Sequence, residues 1–155
     1  MNELTIVRAI HVVSIVIWIG GVGFVTVILL PAIKSQFSFA QQKYIFHLIE
    51  SRFANIAKWM IVIAGISGFY MVDLLNAWDR FTLKQFFWMH AMVLLWFIFS
   101  LALFVVEPIL EKRHGKHSQN TKYSLQLTFW LHVLLLTVSL VTVFISVLGA
   151  HGVFY

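Results

Sequence analysis

The chain has 155 residues, of which 61% are hydrophobic and 11% charged, with a formal net charge of +5. A soluble domain carries about a quarter charged residues, so this composition excludes an ordinary soluble protein and indicates an integral membrane protein. The chain has no cysteine, which excludes disulfides, thiolate metal sites and covalent haem attachment through Cys-x-x-Cys-His.

Four apolar segments separated by polar connections predict an all-α integral membrane protein with four transmembrane helices in an up-and-down bundle. The predicted spans cover about residues 4–33, 59–78, 85–107 and 125–150. The sequence contains no polar half and no linker, and this pattern predicts a single membrane domain over residues 1–155. The N-terminus lacks a cleavage-site pattern, which favours a retained first helix over a removed signal peptide.

From Ala9 onward the first span contains one ionisable side chain, His11, about one turn after Arg8. From Ala9 to Ile33 the sequence has no formal charge, and Pro31 marks the end of the span. A histidine is costly inside the hydrocarbon region, so His11 is a candidate functional residue.

The segment over residues 38–58 is amphipathic, because apolar residues recur at helical spacing between charged ones. It either lies on the membrane surface or continues into the second span. Ser38 is a candidate cap for its start. In the second span, Gly65 and Gly68 would permit close approach of another helix or a flat ligand.

Basic residues are concentrated in the connections after spans one and three. These are Lys34, Lys43, Arg52, Lys58, Lys112, Arg113, Lys116 and Lys122. The other side carries only Arg8, Arg80 and Lys84. The positive-inside rule then predicts a multi-pass protein of the bacterial inner (cytoplasmic) membrane with both termini periplasmic. Because the basic residues flank apolar spans, the expected partner is the lipid bilayer and not nucleic acid.

Three histidines are predicted to lie toward the outer side. At about 1.5 Å per helical residue, His11 and His90 reach a similar depth in the first and third helices, which run in the same direction. His151 ends the fourth helix near the same surface.

On the inner side, His132 lies one to two turns into the fourth helix. His47 reaches that depth only if the amphipathic segment is the first part of a long second helix. His114 and His117 lie in the basic connection before the fourth span and are interpreted as solvated loop residues.

Neutral imidazole is a good ligand for haem iron, and a helical bundle holds such ligands on facing helices. The first and third helices are diagonal in an up-and-down bundle, so we expect His11 and His90 to hold haem b, with Arg8 and Lys84 pairing with its propionates. A second haem would use His132 and His47. Histidine at both axial positions favours electron transfer from a quinol or similar donor over oxygen binding.

Three alternatives stay open at this point. A buried histidine can simply bond a serine or a backbone carbonyl. A copper-handling protein would use imidazole and thioether ligands from His90, Met89, Met92 and Met71. A structural subunit of a larger complex would turn its polar residues toward partner surfaces, and homo-oligomerisation is equally open.

Short motifs carry a resemblance over about residues 5–105. The motifs are Arg8-Ala-Ile-His11 followed by Trp18-Ile-Gly20-Gly21, Ser51-Arg52-Phe53 leading to Gly65-Ile-Ser-Gly68, and Leu83-Lys84 before the third span. They resemble a family of small membrane proteins that groups the copper resistance D domain with four-helix protoporphyrinogen oxidase of the HemJ type.

The HemJ-type resemblance implies a bound haem b, with His11 and Lys84 as key residues, and porphyrinogen-linked oxidoreductase activity. The copper resistance D resemblance implies periplasmic copper handling or transport through outer ligands such as His11, His90 and His151. We therefore expect first a membrane-embedded b-type haem protein that transfers electrons and is linked to a quinol or a porphyrinogen. Whether it is also an enzyme stays open. Copper handling is the alternative.

Overall fold

A computed structural model describes residues 3–109 and 122–154. Its helices are α1 (Glu3–Phe24), α2 (Leu30–Gln36), α3 (Phe39–Leu74), α4 (Phe87–Leu101) and α5 (Lys122–Ala150), and no strand occurs among these residues. Four helical segments are long and apolar enough to cross a membrane: Glu3–Gln36, Tyr44–Leu74, Lys84–Ile109 and Gln126–Ala150, named spans 1 to 4 below. The predicted all-α class and the four spans are confirmed.

The second span is longer at its start and shorter at its end than predicted. The amphipathic segment is continuous with it, because α3 begins at Phe39 after a capping box formed by Ser38 and Gln41. The helix ends at Leu74 and not near Trp78, since Asn76 adopts a left-handed backbone conformation with φ of 47°. Two 3₁₀ turns, Trp78–Thr82 and Lys84–Phe86, then lead into α4.

Spans 1 and 3 each contain a π-helical turn near the end opposite the termini. The turns are Val25–Leu29 and Ala102–Val106, and each begins six residues before a proline, Pro31 or Pro108. A proline has no N–H, and its ring collides with the carbonyl four residues earlier in an α-helix. A wider turn moves that carbonyl aside, so each span continues through its proline.

The spans pack as a four-membered bundle. Span 1 packs on spans 2 and 4, and so does span 3, so spans 1 and 3 lie diagonally, as predicted. Across that diagonal, the Trp18 and Phe99 rings meet edge to face, with centroids 4.8 Å apart. The main core is built around this pair, with Ile61 and Leu95 among its buried members.

Four buried hydroxyl groups inside the bundle are satisfied by their own helix, as the bilayer favours. The hydroxyls of Ser14, Thr26, Ser67 and Ser139 each donate to the carbonyl four residues earlier, at 2.5 to 2.7 Å. Lys58 of span 2 pairs with Glu107 of span 3 at 3.0 Å, where both side chains are about three-quarters buried. This ion pair joins spans 2 and 3 and leaves neither buried charge unpaired.

Candidate functional site

His11 is the half-buried histidine between spans 1 and 2, and its ring is held on one side. Its Nδ1 lies 2.9 Å from the Ala64 carbonyl oxygen and 3.1 Å from the Ser67 hydroxyl oxygen. A carbonyl can only accept a hydrogen bond, so Nδ1 carries the proton and donates it. The remaining nitrogen, Nε2, is the one that can bind a ligand or a metal.

The absence of a side chain at Gly68 makes room for the His11 ring. A Cβ at this position would lie 3.0 Å from His11 Cε1. The glycine that the sequence marked for close approach therefore receives the histidine ring itself. Helix α3 supplies all three contacts, Ala64, Ser67 and Gly68, from consecutive turns.

His90 and Lys84 lie in a second place, an open pocket of about 300 Å³ at the start of span 3. The pocket is lined by Phe81, Thr82, Leu83, Lys84, Phe87 and His90, and it is called the outer pocket below. The His90 ring is exposed and meets the Phe81 ring edge to face, with centroids 5.4 Å apart. His90 and Lys84 thus line the same pocket, and the predicted pairing of Lys84 with a haem propionate stays a prediction.

The predicted pairing of His90 with His11 across the core is not formed in the described part of the chain. The buried face of α4 carries Trp88, Met89, Leu95 and Phe99, whereas His90 is exposed. Because successive helical residues are about 100° apart, His90 is turned away from that face. His11 instead bonds span 2, and the haem content of a His90 variant tests the sequence-based expectation that His90 is a second axial ligand.

The ring of His132 is held in the same way as that of His11, since its Nδ1 lies 2.9 Å from the Thr128 carbonyl oxygen and leaves Nε2 available. The long second helix, on which its pairing with His47 depended, is present. However, Phe46 packs on the His132 ring, with centroids 6.3 Å apart, whereas His47 is exposed. One residue of helical rotation thus puts a phenylalanine where the sequence predicted a histidine.

The remaining predicted residues lie at the periphery. His151 is exposed, with Nδ1 2.8 Å from the Val147 carbonyl oxygen, and Arg8 is exposed one turn before His11. Met89 is buried beside Trp88. His114 and His117 fall outside the described residues. In residues 3–109 and 122–154, no group of three or more histidine or carboxylate side chains is placed to hold a metal ion.

The sequence left open that a buried histidine bonds a serine or a backbone carbonyl, and His11 does both, but the sequence did not identify Ser67 or Ala64 as these partners. The Ala64 carbonyl is a backbone group and leaves no trace in the pattern of side chains. Ser67 had one available signal, a hydroxyl directly before Gly68 in an apolar helix.

Comparison of the chain with known protein families, with curated proteins and with solved structures gives no match.

Proposed function

We propose that this chain is a membrane-embedded b-type haem protein of electron transfer, with His11 as an axial ligand. The hydrogen bond from His11 Nδ1 to the Ala64 carbonyl is the observation that carries the proposal. Metal-ligating histidines usually donate their other ring N–H to a carbonyl or carboxylate, which fixes the tautomer and the ring orientation. His11 has this arrangement inside a membrane span, where a histidine needs a functional reason.

The chain's own residues have distinct tasks in this proposal. Ala64 and Ser67 keep the proton on Nδ1, and Gly68 lets the ring lie close to α3. The apolar walls of the bundle keep water away from the site. When bound, haem supplies a one-electron redox couple whose potential these surroundings tune.

A second haem toward the other end of the bundle is proposed at His132. Its Nδ1 is held by the Thr128 carbonyl in the same manner, and the proposal leaves out His47. With His11 near the end that carries both termini, two haems would provide an electron path across the bilayer. The basic residues on the other side support a periplasmic position for the termini in this proposal, by the positive-inside rule.

Copper handling is less well supported by the geometry. A resident copper ion normally needs several converging imidazole or thioether ligands. The candidate thioether of Met89 is buried in a cluster with Phe86 and Trp88, whereas His90 is exposed. A haem requires only one or two protein ligands, and the single anchored imidazole of His11 suffices for the first.

The test is the visible spectrum of the protein purified in mild detergent from haem-replete cells, before and after reduction with dithionite. We expect the bands of haem b, which sharpen on reduction, at one or two haems per chain. A colourless protein that also shows no saturable spectral change on titration with haem would overturn the proposal. Copper bound in a fixed ratio to the colourless protein would instead favour copper handling.

A further inference from the structure

The outer pocket combines a membrane-boundary position with an unpaired positive charge. Lys84 is the first residue of span 3, so we expect it to lie where the hydrocarbon meets the headgroups. Its side chain is exposed, and it forms no ion pair with any carboxylate in the described part of the chain. Lys58, by contrast, is neutralised by Glu107 at 3.0 Å. A free cation in a pocket favours an anionic ligand.

Two further groups in the pocket favour the same ligand charge. The pocket lies at the N-terminal end of the helical span Lys84–Ile109, where the helix dipole carries partial positive charge. His90 lies at the end of the first turn of α4 and adds an imidazole that can donate a hydrogen bond.

The rest of the pocket wall is apolar. Phe81, Leu83 and Phe87 line it, and the Phe81 ring fixes the edge-to-face orientation of His90. Thr82 adds little polarity, because its hydroxyl already donates to the Asp79 carbonyl oxygen at 2.7 Å. A small, fully hydrated anion would leave these walls in contact with water, whereas an amphiphile would cover them with its own hydrocarbon.

We propose that the outer pocket binds the anionic head of a membrane amphiphile, with a phosphate group at Lys84 and His90 and the hydrocarbon against Phe87. An anionic phospholipid is the expected source, and free phosphate shares the same head chemistry. The pocket does not require haem at His11 for this binding.

The experiment is native mass spectrometry of the full chain released from nanodiscs that contain equal amounts of phosphatidylglycerol and phosphatidylcholine. Wild type should retain phosphatidylglycerol about tenfold more often than phosphatidylcholine, because charge-assisted hydrogen bonds contribute that much. Lys84→Gln should abolish the preference, His90→Gln should weaken it about threefold, and Lys84→Arg should keep it.

Arg8→Gln is the matched control, because Arg8 is an exposed cation at the same end of the bundle on span 1. It should change the preference less than twofold, and circular dichroism should show that every variant is folded.

Displacement of the lipid by inorganic phosphate would assign recognition to the phosphate group, and failure of phosphate to displace it would assign recognition to the whole amphiphile. Equal retention by wild type and Lys84→Gln, or an equal loss in Arg8→Gln, would overturn the site. Loss of haem from Lys84→Gln with unchanged lipid retention would show that Lys84 serves a porphyrin carboxylate instead.

Discussion

His11→Ala is expected to lower the affinity for haem by more than about a hundredfold, because even residues that only support a metal ligand are worth about 10- to 100-fold. The variant removes Nε2, the nitrogen that the bonds to Ala64 and Ser67 leave available. The pyridine haemochrome spectrum of the purified protein measures the haem content per chain and therefore the loss. Far-ultraviolet circular dichroism establishes that the four helices persist.

Two histidine variants serve as controls for this loss. His151→Ala changes an exposed side chain at the end of α5, and His90→Ala changes an exposed side chain in the outer pocket. Both should retain haem within about twofold of wild type. A loss on His90→Ala equal to that on His11→Ala would restore the paired-ligand interpretation of the sequence. Full haem retention by His11→Ala would reject His11 as a ligand.

Gly21→Ala is expected to destabilise the bundle by about 1–3 kcal/mol, the usual range for overpacking a core. A Cβ at Gly21 would collide with the Phe53 ring, so the ring would have to move. Phe53 packs against both the main core and the cluster around Leu30. Thermal unfolding in mild detergent, followed by circular dichroism, measures the change.

Gly20→Ala is the matched control, one residue earlier in the same helix. A Cβ at Gly20 would meet nothing within 4 Å, and alanine forms helix better than glycine by up to about 1 kcal/mol. We therefore expect an unchanged or slightly raised melting temperature. Similar destabilisation by both variants would contradict the close packing of Gly21 on Phe53.

Much of the fold could be predicted from the sequence because the bilayer restricts it. A spanning segment must be apolar for about 20 residues and helical throughout, so hydrophobicity alone located the spans. The start of span 2 was ambiguous, because charges such as Arg52 and Lys58 suit either a surface helix or the end of a long one. The π-turns before Pro31 and Pro108 were not predicted, since a proline near a helix end is equally consistent with a stop.

The sequence predicted the depth of the candidate site residues in the membrane, but not the direction in which their side chains point around each helix. Counting residues from the membrane boundary placed His11 and His90 at similar heights, yet it did not determine which way each side chain turns. Lipid-facing and core-facing positions in spans 3 and 4 are similarly apolar, so the sequence offers little amphipathic contrast to orient His90 or His132. Proximity of His90 to Lys84 was predictable, because both lie near the start of one span.

The most direct measurement of the central claim is the haem content of His11→Gly purified with and without imidazole. Glycine removes the ring that α3 holds near Gly68, and free imidazole can occupy the vacated space and offer its nitrogen to the iron. We predict a colourless variant that regains at least about half of the wild-type haem absorbance when imidazole is added. A folded variant that keeps its haem without imidazole, or stays colourless with it, would contradict coordination by His11.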